Sequence, residues 1–166
     1  MAETRYSAGA RGWDHPEWVG ASFYPDELPP EWRLSYYAHF FGCVLVSAAA
    51  WRAAGAAGPA SWMADTPAGF RFLLESGEGV RVVAAALGAR CAGIVGEDGR
   101  VEGASGTEVI WIDASPDLRA LAGEVRRRSA GAGEVLLVER GADFGRLARA
   151  ATLLAVMGLA PDPGLV

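Results

Sequence analysis

Three carboxylates, Glu75, Asp113 and Glu139, each stand at the end of a short apolar run, and His15 follows a Gly12-Trp13 pair near the N-terminus. In parallel β/α folds ligands bind at the carboxyl ends of the strands, so these are the positions at which chemistry is expected first. Converging carboxylates could hold a divalent cation or divide acid and base roles between them. The same residues at strand exits also serve as helix caps and solvated loop acids. A neutral imidazole at His15 could move a proton at that mouth, whereas a histidine without a partner at ligand spacing is also an ordinary structural residue. Arg11, Trp13, Tyr24, Ser47 and Trp51 complete the set of candidate ligand contacts, with Glu97 at a further strand exit. Trp13, Trp18, Phe23, Tyr24 and Trp32 are dense enough for a platform that stacks a sugar or a base, and equally suited to a core and lid.

Composition removes several mechanisms. All fifteen basic residues are arginine, so no lysine amine is present for Schiff-base chemistry, pyridoxal phosphate attachment or a P-loop. The glycines near Gly77, Gly79, Gly103 and Gly106 do not follow the dinucleotide fingerprint, and no nucleotide cofactor is expected. Cys43 and Cys91 lie in apolar stretches with no Cys or His at metal-ligand spacing, so the reading is two free thiols and no metal centre. A net charge of −5 and a single arginine cluster at 126–128 speak against nucleic acid as a partner. No apolar run reaches membrane-spanning length, and residues 1–12 lack the apolar core of a secretory signal; a cytoplasmic, non-membrane protein is expected.

The elements that must position these residues alternate between β-branched runs and helical patterns, the mark of βαβ units and a mainly parallel sheet. Strands are expected at 6–10, 43–47, 70–74, 91–95, 109–113 and 135–138. A helix is expected over 30–41, with Trp32, Tyr36 and Phe40 recurring on one face as core, Tyr37 and Phe41 alongside, and Gly42 ending it. Further helical patterns fall at 61–65, at 80–87, after Ser115, Pro116 and Asp117 with Leu118, Leu121 and Val125 as one stripe, and from Phe144 to a stop near Gly158. The tract 96–106 reads as a loop or small hairpin. With 166 residues, 51% of them apolar, one α/β domain spanning 1–166 is the expected organisation.

The run from Gly12-Trp13 through Phe23-Tyr24-Pro25-Asp26-Glu27-Leu28-Pro29-Pro30 to Tyr36-Tyr37-Ala38 resembles the opening of the YecE-like family, also called domain of unknown function 72. Thr66-Pro67-Ala68-Gly69-Phe70-Arg71-Phe72 resembles that family's third-strand entry, and 118–159 is similar in layout to its last two β/α units. The resemblance implies a TIM-barrel-like fold, abbreviated here to about six mainly parallel strands because a closed barrel of eight takes at least about 200 residues. It implies that two β/α units are missing between Val95 and Glu108, leaving the strands at 91–95 and 109–113 as edges in need of cover. It also implies an altered site. Where the family places a Glu, an Asn and a Phe-Tyr pair after the second strand, this chain has Leu45, Ser47, Ala50 and Trp51; a usual Lys is Glu75, and an Asn-rich end is Glu139 and Arg140.

Lost polar residues and lost units together point to a non-catalytic protein acting through protein contacts, as a homo-oligomer or beside a partner. Two alternatives are a small hydrolase or isomerase using carboxylates or a metal at the strand ends, and a module binding a sugar or a base. Fold analogy does not choose among them.

Overall fold

A computed structural model of the chain describes residues 3–20, 22–103, 105–112 and 117–159. The strands are β1 (Arg5–Arg11), β2 (Cys43–Val46), β3 (Arg71–Glu75), β4 (Cys91–Val95), β5 (Val101–Gly103), β6 (Thr107–Ile112) and β7 (Glu134–Glu139). They form one seven-stranded sheet in the order β5-β4-β3-β2-β1-β7-β6. Every pairing is parallel except β4 with β5. The helices are α1 (Arg33–Tyr37), α2 (Ala48–Ala54), α3 (Gly58–Ala64), α4 (Val80–Leu87), α5 (Leu118–Ser129) and α6 (Phe144–Val156). The result is a nearly closed, abbreviated TIM-barrel-like sheet with its helices outside.

Alternation along each strand sorts the side chains into two cores. Ala8, Ala10, Val44, Val46, Phe72, Leu74, Ile110, Ile112, Val135 and Leu137 face outward and join the helices in one cluster. Cys43, Leu45, Leu73, Val109, Leu136 and Val138 form a second cluster made of strand residues alone, which is the barrel interior. Across that interior Arg71 Nε donates to both carboxylate oxygens of Glu134, at 2.8 and 3.0 Å, and Thr107 Oγ1 donates to the same group at 3.1 Å. A Cβ on Gly9 would lie 1.9 Å from the carbonyl oxygen of Cys43, so only glycine lets β1 pass so near its neighbour's backbone. Cys43 and Cys91 are free thiols, as the sequence suggests, and burial pushes the Cys43 thiol far up.

The tract 96–106 forms the small hairpin that is one of its two sequence readings, and its strand brings the sheet to seven where the sequence reading counts six. β5 folds back antiparallel onto β4, and the turn between them reaches the opposite side of the barrel, where Trp111 Nε1 of β6 donates to the Gly99 carbonyl at 3.2 Å. The expected edge at 91–95 is therefore paired. β6 is an edge in the sheet order, yet Ile110 and Ile112 are buried where α5 packs against β6. The expected cap Ser115 and Pro116 lie outside the described residues; Asp117 caps α5, accepting from the amides of Arg119 and Ala120.

The aromatic helix departs from expectation more sharply. Pro29 and Pro30 open a 3₁₀ turn at Pro30–Trp32, and the α-helix is only Arg33–Tyr37. A stripe drawn through one continuous helix over 30–41 is consequently out of phase. Leu34, Tyr37 and Phe41 are the buried residues, while Trp32 is 63% exposed. The Tyr37 hydroxyl accepts from the Ala10 amide at 2.7 Å and donates to the Cys43 carbonyl at 2.8 Å, both inside the core. Alanine-rich 48–57, which carries no clear periodic signal, holds α2, begun by Ser47 accepting from the Ala50 amide at 3.1 Å.

These contacts set an order of stabilities. Tyr37→Phe strands two buried backbone groups and costs about 1–3 kcal/mol, whereas Trp32→Ala changes the unfolding free energy by under about 0.5 kcal/mol. Urea melts of the two variants, compared at constant m-value, check the ranking.

Candidate functional site

The C-terminal ends of β1, β2, β3 and β7 meet at one mouth, and the inward-facing residue at the end of each strand decides its character. On β1 that residue is Arg11 and on β3 it is Glu75. Arg11 grips Glu75 with two N–H groups, Nε to Oε1 and Nη2 to Oε2, the second at 3.2 Å. Glu75 Oε2 also accepts from the Ala48 amide at 2.9 Å, at the start of α2, and Trp51 Nε1 donates to the Glu75 carbonyl at 3.0 Å. Burial alone pushes the Glu75 carboxyl up, but the Arg11 hydrogen bond, the Ala48 amide and the Arg11 charge together outweigh it and hold the group below the usual carboxylate range. The same bond holds the Arg11 guanidinium above its usual value. Glu75 is thus a permanent anion at neutral pH, and a poor proton donor.

Two cavities open on either side of this pair. One, of about 320 Å³, is lined by Arg11, Trp13, His15 and Ser47 among others. The other, of about 530 Å³, is lined by Glu75, Arg52, Ser76, Gly77, Glu97 and Arg140 among others. The left-handed Gly12 (φ +76) turns the chain out of β1. His15 Nε2 lies 2.8 Å from the Arg11 carbonyl and 3.2 Å from that of Gly12. Since both partners only accept, Nε2 carries the proton. The imidazole rests against Trp18, ring centres 4.3 Å apart.

The remaining expected site residues lie elsewhere. Glu139 is on the outward-facing register of β7 and is 1% exposed. It accepts from the amides of Gly141 and Asp143 and from Arg146 Nε, so it shapes the β7–α6 loop and does not join Glu75. Tyr24 is fully buried and its hydroxyl donates to the Trp13 carbonyl, with burial pushing the phenol well up. Trp51, on α2, does stay at the mouth, but buried, with its indole N–H on the Glu75 carbonyl. Asp113 lies outside the described residues. Among the described residues, no group of three or more His, Cys, Asp or Glu is arranged to hold a metal ion.

Two further residues stand at the mouth, Arg140, which the resemblance marks only as a replaced position, and Arg52, which the sequence reading does not single out. Arg52 lies on α2 and Arg140 at the inner face just beyond β7, each with its guanidinium over an indole, at 4.8 Å from the Trp51 ring centre and 4.4 Å from that of Trp111. The signal for Arg140 was its place one residue past an apolar strand; for Arg52 there was none before α2 was known.

The family described as "Protein of unknown function DUF72" matches residues 7–79, which include Arg11, Trp13, Ser47 and Glu75. The match spans 73 of the 166 residues, so this part of the chain is similar to DUF72. The YecE-like opening quoted above and this family are the same. The fold is similar to the crystal structure of a DUF72 family protein from Thermotoga maritima, with a TM-score of 0.66 and 12% identity over 94% of this chain and 100% of that one. No curated protein matches. No helix among the described residues is long and apolar enough to cross a membrane.

Because Glu75 is depressed in the folded state, its contribution to stability is present above the unfolded carboxyl value, about 4.3, and is lost as pH falls through the lower folded value. Glu75→Gln should therefore lower the melting temperature at pH 7, and the gap from wild type should close as the pH is brought toward 3 in a thermal melt series.

Proposed function

We propose that this protein is a non-catalytic module that binds a polar small molecule at the C-terminal mouth of its barrel. One observation carries the reading: two cavities of about 320 and 530 Å³ flank a strand-end carboxylate already committed to Arg11 and to the start of α2. A carboxylate so held can position a ligand hydroxyl or amine, but it is poorly placed for an acid/base cycle. Trp13 supplies the apolar surface beside the smaller cavity, which is the usual division between apolar wall and few polar contacts in ligand sites. The module works in the cytoplasm on this reading. A panel of neutral sugars, nucleosides, small acids and phosphorylated metabolites should contain at least one that raises the melting temperature by mass action, with Trp13→Ala or Glu75→Gln removing the shift. Stabilisation indifferent to both substitutions would move the site away from the mouth, and chemical turnover of the ligand would favour the hydrolase or isomerase alternative.

A second reading, contact with another chain as a homo-oligomer or with a partner protein, is favoured by a different face. Trp32 makes no ring stacking among the described residues and stands 63% exposed beside a groove of about 540 Å³ lined by Leu28, Tyr36, Phe40, Glu31 and Asp65 among others. Exposed aromatic surface of this kind is typical of interface centres. Light scattering at micromolar concentration should then show an assembly that Trp32→Ala dissolves; a monomer in both samples counts against self-association through this face.

A further inference from the structure

Arg52 and Arg140 line the same cavity of about 530 Å³, and each is positioned by the same device. An indole fixed by its own hydrogen bond lies under each guanidinium. Trp51 Nε1 donates to the Glu75 carbonyl at 3.0 Å and Trp111 Nε1 donates to the Gly99 carbonyl at 3.2 Å. The guanidinium carbons sit 4.8 Å and 4.4 Å from those two ring centres. Gly77 makes room beside the first, since a Cβ there would be 2.5 Å from Arg52 Nη2. Stacking occupies the face of a guanidinium and leaves its N–H edge available for planar, two-pronged recognition of an oxyanion.

Neither arginine has an ion-pair partner among the described residues. Of the cavity's carboxylates, Glu75 is cancelled by Arg11, and Glu97 is exposed on the rim. Two pre-positioned, uncompensated cations beside the Ser76 hydroxyl and the glycine backbones of Gly77 and Gly96 form a receptor for negative charge. Resting on the small-molecule reading of the mouth and narrowing it, we propose that the ligand is a small dianion, a phosphate monoester or a dicarboxylate, held between Arg52 and Arg140, with Trp51 and Trp111 acting as positioning residues beneath them.

Isothermal titration calorimetry at low ionic strength, with sodium chloride as the screening control, tests this on the full chain using glycerol 3-phosphate, succinate and neutral glycerol. At least one of the two dianions should bind with a Kd below about 1 mM and glycerol should not; the stronger of the two identifies the oxyanion class. Arg52→Gln and Arg140→Gln should each weaken binding about tenfold or more, and Glu97→Gln should tighten it by removing a repulsive neighbour. Both arginines are exposed, so circular dichroism should report unchanged folding in these variants. Arg140→Lys should recover only part of the loss, since an ammonium keeps the charge without the planar fork. Failure of both dianions to bind in the millimolar range, or binding that survives both arginine substitutions, overturns the dianion assignment. If a neutral ligand nonetheless binds in a Trp13-dependent manner, the mouth reading stands while this narrower one falls; if nothing binds, both fall.

Discussion

The bridge between Arg71 of β3 and Glu134 of β7 is the constraint around which the molecule is arranged. In the sheet order two strands, β2 and β1, stand between its partners, so the two side chains can meet only if the sheet curls. They meet closely, with Nε to oxygen distances of 2.8 and 3.0 Å and side chains 10% and 5% exposed. A buried ion pair adds little net stability over an apolar pair of the same shape, but an orphaned partner is costly, of the order of 3–5 kcal/mol. Flattening or opening the sheet would strand both charges at once. The pair therefore acts less as glue than as a penalty on the wrong curvature, and Arg71 Nη1 and Thr107 Oγ1 use the remaining capacity by donating to the Ala89 carbonyl and to Glu134.

Curvature fixed in this way gives the barrel two unlike ends. The end near the strand starts is closed by the Arg71–Glu134 pair, and above it Cys43, Leu45, Leu73, Leu136 and Val138 fill the interior. The end near the strand finishes holds the Arg11–Glu75 pair, half exposed and flanked by cavities. The hairpin β4–β5 matters to both ends, because its turn contacts Trp111 and so draws the two sides of a short sheet together. Gly93 and Gly103 make that hairpin tight: a Cβ on Gly103 would lie 2.5 Å from the Gly93 Cα. An open fold of this length would need another chain to cover its edges; here a few residues of antiparallel strand supply much of that cover.

Period and composition made the parallel α/β architecture, the helix at Val80–Leu87 and most strand positions legible. They misjudged the aromatic helix because Pro29 and Pro30 impose a 3₁₀ start that shifts the phase of every residue after it. Trp32 is left exposed as a result, and the buried face runs through Leu34, Tyr37 and Phe41. At strand ends, sequence places a carboxylate without saying which face it takes. Glu75 and Glu139 look alike in the sequence, yet alternation turns one into the mouth and the other outward, where it binds two amides and Arg146. Arg52 was hidden, and Arg140 was marked only as a replaced position, for a related reason: their setting depends on an indole brought under each from a neighbouring residue or another strand.

The arginines at the mouth, set in a chain that has no lysine, give it an unusual chemical constancy. A guanidinium does not lose its proton anywhere in the range where proteins stay folded. The positive charge that Arg52 and Arg140 present is therefore the same in an acidified and an alkaline cell, and it is not open to acetylation or carbamylation at a lysine amine. What can mask these two positive charges is a conformational move of Glu97 on the rim or the arrival of an anionic ligand, and neither requires either arginine to lose a proton.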